Sequence, residues 1–235
     1  EELKNGVEAV VICNPHNPIG RVWTDGEMEH IVDLCVQYGV YLLSDEIHAD
    51  FGMTRPYTTA GRFEKIHDRL VVYTAISKTF NMAGLGSSCM MIPNPELKQK
   101  ISDRYDACWM FGPCDLAFTA MEAAYTHGDA WVDQQLAYLE GNVETVNSFV
   151  AEHMPGVQVT KHEGTFLMWL DMTCFGKSSQ ELTSILAKEY GLALGDGSHY
   201  GTQADGFMRL NIGCTRDTLI KGLEQMAMMY DKYVK

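Results

Sequence analysis

A run of apolar residues long enough to cross a bilayer is absent from this 235-residue sequence. A transmembrane helix needs roughly 20 consecutive apolar residues. The first residues, EELKNGVEAVVIC, also lack the basic and then apolar order of a signal peptide. These two absences argue against a membrane or secreted protein and predict a soluble protein located in the cytoplasm.

Basic residues are scarce in the sequence. Eighteen Lys and Arg residues stand against 31 Asp and Glu residues, which gives a formal net charge of −13 at pH 7. Nucleic acids and anionic membranes repel a chain of this charge. The composition therefore argues against both as partners and favours a small-molecule ligand.

The seven cysteines lack the spacing of a metal site or a disulfide framework. Their number is odd, they form no CxxC pair, and no histidines follow them at metal-binding intervals. We therefore expect free thiols in a reducing compartment and no metal ion.

An initiator methionine is also absent, because the chain opens on Glu1 and reaches a strand-like run at Val7. This opening leads us to expect a chain cut from a longer one.

Short apolar segments in the first half have the length and β-branched content of buried strands. They are Val7–Cys13, Val40–Leu43, Leu70–Ile76 and Ser87–Ile92. Between the first two, Thr24 and Glu27 have capping-box spacing, which predicts a helix from Thr24 to Tyr38 that Gly39 ends. Apolar strands joined by crossovers predict an α/β fold with a mainly parallel sheet covered on both faces.

Longer helical patterns follow from Glu96 onward, and one of them, about Ala130–Met154, ends before Pro155. Beyond it, strands predicted at Val157–Thr160, Phe166–Leu170 and Phe207–Ile212 alternate with helices predicted at Ser179–Tyr190 and Thr218–Tyr233. This alternation predicts a smaller α+β domain. We place the two domains at residues 1–140 and 141–235.

Polar residues follow three of the predicted strands at the point where each strand ends. They are NPHNPIG at residues 14–20, SDEIH at residues 44–48 and SKTFN at residues 77–81. Ligands of open α/β sheets bind outside the carboxyl ends of the parallel strands. The three segments are therefore predicted to meet in one binding site.

Four motifs in this order, NPHNPIGR, SDEIHAD, SKTFN and RLNIGCTR, resemble those of class I/II aminotransferases of fold type I. The segments YLEGN, EGTFLMWLD and LGDGSHYG extend the resemblance to the PatB/MalY-type cystathionine β-lyases of that family. The resemblance covers the whole chain. It implies pyridoxal 5'-phosphate (PLP) as the cofactor, with residues 1–140 as the C-terminal part of the large cofactor-binding domain and residues 141–235 as the small domain.

The resemblance gives Lys78 and Asp45 the main catalytic and cofactor-binding roles. Lys78 would carry PLP and act as the base at the substrate α-carbon, because such chemistry needs an amine beside the cofactor. Asp45 would hold the pyridine nitrogen protonated. The plain alternatives are a surface lysine that opens a loop and an aspartate that caps a turn.

Two further residues are implied to contact the phenolic oxygen of the cofactor. Asn17 occupies the place of the family asparagine that donates a hydrogen bond to that oxygen, and a simple turn asparagine is its alternative. His48 stands where many relatives have a tyrosine. Its role is open between a cofactor contact and a structural histidine.

Ser77 is a predicted contact of the cofactor phosphate because it adjoins Lys78. The family often has a serine three residues before the lysine and an arginine eight residues after it, where this chain has Ala75 and Gly86. These departures resemble the β-lyase branch. They also leave the phosphate short of positive charge within this chain.

Arg209, in the segment RLNIG, is implied to bind the substrate α-carboxylate with a bidentate pair of hydrogen bonds. A surface salt bridge is the alternative role. The resemblance thus predicts a PLP-dependent carbon–sulfur β-lyase that converts sulfur amino acids into a thiol, pyruvate and ammonia. An aminotransferase and a regulatory or partner-binding protein on the same fold stay open. The full-length form is expected to be a homodimer, and this chain alone is expected to be inactive.

Overall fold

The computed structural model describes residues 1–110 and 112–235. These residues form two compact units. The first comprises Glu1–His16 and Val22–Gln134, and the second comprises Asn17–Arg21 and Gln135–Lys235. The division of the chain at residue 140 into parts of a large and a small domain stays a prediction.

The first unit is built on a four-stranded sheet in the order β1-β2-β3-β4. Its strands are β1 (Ala9–Cys13), β2 (Tyr41–Asp45), β3 (Leu70–Thr74) and β4 (Cys89–Met91). The first three strands are parallel, and β4 runs antiparallel to β3. The predicted α/β fold with a mainly parallel sheet is therefore confirmed.

Among the described residues, the α-helices between β1 and the sheet of the second unit are α1 (Asp25–Tyr38), α2 (Ile76–Thr79), α3 (Pro95–Ala107), α4 (Asp115–His127) and α5 (Asp129–His153). Helix α1 begins at the predicted capping box, in which Thr24 and Glu27 exchange hydrogen bonds, and Gly39 ends it with φ of 67°. Its inner face packs on β2 and β3 through Met28, Val32 and Cys35. Burial of this face joins helix and sheet in one core.

The second unit contains an antiparallel sheet in the order β5-β6-β8-β7. Its strands are β5 (Gln158–Val159), β6 (Leu167–Asp171), β7 (Gly195–Asp196) and β8 (Phe207–Asn211), and its later helices are α6 (Ser179–Tyr190) and α7 (Arg216–Tyr233). Met168, Leu170 and Leu182 are fully buried in its core. Strand β7 was not predicted, because it has only two residues, one of which is glycine, and so shows no alternating pattern.

Two absences hold for residues 1–110 and 112–235. No helix there is both long and apolar enough to span a membrane. The same residues contain no group of three or more His, Cys, Asp or Glu side chains that could hold a metal ion.

Candidate active site

The three parallel strands of the first unit end level with one another. The register pairs Cys13 with Asp45, and Asp45 with Tyr73. Hydrogen bonds continue past the strand ends, since Asn14 N donates to Asp45 O at 3.0 Å and Glu46 N donates to Tyr73 O at 2.8 Å. The polar segments after β1, β2 and β3 therefore leave the sheet at the same edge.

Lys78 lies on the short helix α2 directly after β3. Both ends of this helix are fixed by packing, because its first residue, Ile76, and its last residue, Thr79, are buried. The Thr79 hydroxyl donates to Asp50 at 2.6 Å, and the Thr79 carbonyl accepts a hydrogen bond from Trp131 Nε1 at 3.0 Å. Lys78 itself is half-buried. The backbone of Lys78 is therefore restricted by the buried residues at both ends of α2.

Asp45 and Glu46 are adjacent acids in different environments. Asp45 is half-buried and its Oδ1 accepts the N–H of Ile47 at 3.1 Å. Glu46 is only 2% exposed and accepts hydrogen bonds from the Ser44 hydroxyl at 2.8 Å and from Ala60 N at 2.9 Å. Burial raises the pKa of Glu46 above its usual value. Glu46 therefore ties the chain near Ala60 to β2, whereas Asp45 stays at the sheet edge.

His48 and Ser77 are the remaining predicted residues of this edge. His48 is buried, its ring centroid lies 6.0 Å from that of Phe51, and its carbonyl accepts the N–H of Phe51 at 2.9 Å. Ser77 is half-buried on α2. The burial of His48 against Phe51 is typical of a structural histidine, and its contact with a cofactor stays a prediction.

Asn17 and Arg209 form a pair within the second unit. Arg209 Nη1 donates to Asn17 Oδ1 at 3.0 Å. A guanidinium group carries only donors, so Asn17 must present its oxygen to Arg209. The amide group Nδ2 of Asn17 then points away from the arginine and can act only as a donor. This orientation is the one that the predicted contact with a phenolic oxygen needs.

The loop that carries Asn17 is anchored at Gly20. The carbonyl of Gly20 accepts the N–H groups of Glu163 at 2.7 Å and Gly164 at 3.0 Å. Gly20 has φ of 76°, and a Cβ there would lie 2.5 Å from His162 Nδ1. Only glycine combines this backbone conformation with this close approach. The anchor explains why residues 17–21 belong to the second unit although they follow β1 in sequence.

The structure thus brings the predicted site residues together in two groups. In the first unit, Asp45 ends β2, His48 follows it, and Ser77 and Lys78 follow β3, whereas Asn17 contacts Arg209 in the second unit. Their catalytic and binding roles stay predictions. The contact between Arg209 and the ring of Tyr200, whose centroid lies 5.3 Å from Cζ, was not predicted. Tyr200 lies in the first of two short 3-10 helices, Gly197–Tyr200 and Thr202–Ala204, which are too short to give a periodic signal in the sequence.

Comparisons with known proteins agree with the motifs. The model of the family Aminotransferase class I and II matches residues 1–226. The chain is 36% identical over 222 residues to cystathionine beta-lyase PatB of Bacillus subtilis, covering 94% of this chain and 57% of that protein. It is 32% identical over 219 residues to Protein MalY of Escherichia coli, covering 91% of this chain and 55% of that protein.

A similar solved structure is cystalysin from Treponema denticola, whose description names a pyridoxal 5'-phosphate cofactor. The TM-score is 0.91 at 28% sequence identity, and the match covers 96% of this chain and 58% of that one. This chain therefore spans somewhat more than half the length of each of these relatives.

Proposed function

Because this chain belongs to the aminotransferase class I and II family, we propose that it is part of a PLP-dependent carbon–sulfur β-lyase of the cystathionine β-lyase type. Sulfur amino acids are the proposed substrates. The observation that carries the proposal is that Asp45 ends β2 and Lys78 follows the adjacent strand β3, in a chain 36% identical to a cystathionine β-lyase.

The side chains present suit PLP. Lys78 offers an amine for its aldehyde, Asp45 a carboxylate for its ring nitrogen, and Ser77 a hydroxyl for its phosphate. Asn17 Nδ2 offers a donor for the phenolic oxygen, since its Oδ1 is engaged by Arg209. His48 is proposed as a second contact of that oxygen. Positively charged groups for the phosphate are the weakest part of this set, because Ala75 and Gly86 carry none.

When bound, PLP supplies an electron sink for the bonds at the substrate α-carbon. Lys78 Nζ is the group that we assign to the removal of the Cα proton, for which its amine must be unprotonated. The buried ends of α2 restrict the backbone of Lys78 and so limit the positions that Nζ can reach. Asp45 supplies the negative charge that keeps a proton on the ring nitrogen.

Arg209 is the proposed binding group for the substrate α-carboxylate. Its fork presents several N–H donors, of which Nη1 is used by Asn17. The remaining donors suit a carboxylate, which accepts two parallel hydrogen bonds from a guanidinium group. Through Asn17, the arginine would also fix the donor that faces the cofactor oxygen.

Incubation of the full-length protein with cystathionine and PLP tests the function. A β-lyase consumes one water molecule and releases homocysteine, pyruvate and ammonia in equal amounts, so thiol and pyruvate are both measured. We expect both products from the wild type and neither from Lys78→Ala. An aminotransferase would consume an added 2-oxo acid without forming a thiol. A folded protein that turns over no amino acid would favour a regulatory or partner-binding role instead.

A cytoplasmic location and a homodimeric full-length form are further parts of the proposal. Seven free cysteines support a reducing compartment. Exposed apolar side chains of the first unit, among them Leu116 and Trp131, support a covering partner such as a second copy. Light scattering of the full-length protein tests the assembly, and a monomer would contradict it. The net charge of −13 supports the absence of a nucleic-acid partner.

A further inference from the structure

Arg209 lies in the middle of β8 between two neighbouring strands. The register pairs it with Trp169 on β6 and with Gly195 on β7. A Cβ at position 195 would lie 3.1 Å from Arg209 Cβ and 3.2 Å from Arg209 Nε. The glycine therefore leaves the space in which the arginine stem lies against β7.

Three aromatic side chains form a stack beside this arginine. Trp169 lies parallel to Phe207 at a centroid distance of 5.6 Å and meets Tyr200 edge to face, also at 5.6 Å. Trp169 is 6% exposed, whereas Tyr200 is 41% exposed. In this aromatic stack of Phe207, Trp169 and Tyr200, the buried tryptophan lies between a half-buried phenylalanine and an exposed tyrosine. The buried tryptophan holds the tyrosine ring in place.

Tyr200 meets Arg209 through the ring face, because the ring centroid lies 5.3 Å from Cζ. A cation over a ring face is attracted by the negative charge of that face. A carboxylate accepts hydrogen bonds from the N–H groups of a guanidinium, whereas a ring face attracts the positive charge of the whole group. Tyr200 can therefore hold the arginine without taking a donor from the substrate.

We propose that Tyr200 is a positioning residue for Arg209, which it holds in the orientation that binds the carboxylate of the substrate. The inference rests on the proposed function in so far as Arg209 is taken as the carboxylate-binding residue. Arg side chains lose rotamer freedom when they bind. A ring that restricts the guanidinium before binding reduces this loss and so tightens the binding of every carboxylate ligand at Arg209.

The test compares Tyr200→Leu, Tyr200→Met and Tyr200→Phe in the full-length holoprotein. Tyr138→Leu is the control, since the Tyr138 ring lies 5.5 Å from Arg216 Cζ and that arginine has no proposed ligand, although the Tyr138 hydroxyl also accepts the backbone N–H of Arg216 at 2.7 Å. Two readouts are used. One is the separation of KM from kcat for cystathionine, and the other is the Kd of 3-(methylthio)propionate by calorimetry. This probe has the carboxylate but no amino group, so it binds without reacting.

We expect Tyr200→Leu and Tyr200→Met to raise KM and Kd by about three- to tenfold, the range of a partly exposed cation–π contact, with kcat changed less than about twofold. Tyr200→Phe keeps the ring and should restore both constants. Tyr138→Leu should leave both near the wild-type values. A drop in thermal stability of any variant without a change in Kd would mark a structural role only and overturn the inference.

Other outcomes also decide the question. If Phe behaves like Leu, the hydroxyl and not the ring face is responsible, and the inference is wrong. If the wild type binds no probe, Arg209 is not a carboxylate site and the inference falls with it. If the wild type binds the probe in a Tyr200-dependent way but turns over no amino acid, the proposed lyase function fails while the role of Tyr200 stands.

Discussion

His162 is a buried titratable residue beside the loop that carries Asn17. Its Nε2 donates to the Thr165 carbonyl at 3.0 Å, and burial lowers its pKa to about 4. An unfolded chain has a histidine pKa near 6.5, so between pH 4 and pH 6.5 the unfolded state binds more protons than the folded state. The stability that the neutral imidazole contributes is therefore complete above pH 6.5 and is lost as the pH falls toward 4.

We expect His162→Gln to remove this pH dependence. The wild type should lose about 3 kcal/mol of unfolding free energy more than the variant between pH 6.5 and pH 4, because a shift of one pKa unit corresponds to 1.36 kcal/mol. Urea denaturation at several pH values measures the difference. Parallel curves for the two proteins would show that His162 is not held neutral by burial.

Asp45 and Glu46 provide a matched pair for the cofactor site. Asp45→Asn removes the negative charge that is proposed to keep the cofactor ring nitrogen protonated. We expect activity to fall by about 100-fold or more with little change in stability. Glu46→Ala leaves the Ser44 hydroxyl and the Ala60 N–H without their buried acceptor, and we expect a loss of about 1–3 kcal/mol in stability. Steady-state kinetics and thermal unfolding of both variants test the assignment, which an exchange of the two phenotypes would contradict.

Among the site residues, those that lie in a recognisable sequence motif could be predicted. Lys78 and Asp45 follow recognisable apolar strands, so their placement at one sheet edge could be anticipated. The contacts of Glu46 with Ala60 and of Arg209 with Tyr200 join residues 14 and 9 positions apart through turns. Such contacts depend on tertiary packing, which neither periodicity nor local propensity specifies.

At the scale of elements, the loop of residues 17–21 depends on a glycine. We expect Gly20→Ala to destabilise the protein by about 1–3 kcal/mol, since alanine at positive φ is strained and its Cβ would collide with His162. Gly26→Ala is the control, because Gly26 lies in α1 and a Cβ there meets nothing within 4 Å. This control should be neutral or slightly stabilising. If thermal unfolding shows that the two variants lose the same amount of stability, the close contact at Gly20 does not fix the loop.

Regular elements with strong local signals could be predicted well. Helix α1 has a capping box and a terminal glycine, and the predicted range of α6, Ser179–Tyr190, agrees with the observed one. The membership of residues 17–21 in the second unit could not be predicted, because hydrogen bonds to residues 163 and 164 decide it. Hydrogen bonds between residues so far apart in sequence do not affect the local pattern of apolar and polar residues.

At the scale of the whole molecule, the first sheet has an exposed edge. Strand β1 lies at that edge, and its Val11 is 70% exposed. Unpaired strand edges and exposed apolar side chains favour association with other chains. The segment 70–97, which contains Ser77, carries a single basic residue, Lys78, and so offers little positive charge to a phosphate dianion. We therefore expect the 235-residue chain by itself to self-associate and to bind PLP weakly, without activity.

Absorbance titration with PLP, combined with sedimentation analysis, tests this expectation. The full-length protein is the control and should bind PLP stoichiometrically. Tight, stoichiometric binding of PLP to a monomeric 235-residue chain would contradict this expectation, because these residues would then suffice to hold the cofactor.

The assignment of Lys78 as the cofactor-bearing lysine is the central claim, and borohydride reduction of the full-length holoprotein tests it most directly. Reduction fixes the cofactor to the amine that holds it, and peptide mapping by mass spectrometry then locates the pyridoxyl group. The claim predicts one labelled peptide that contains Ser77-Lys78-Thr79, and no label in the Lys78→Ala variant. A pyridoxyl group on any other lysine would contradict it.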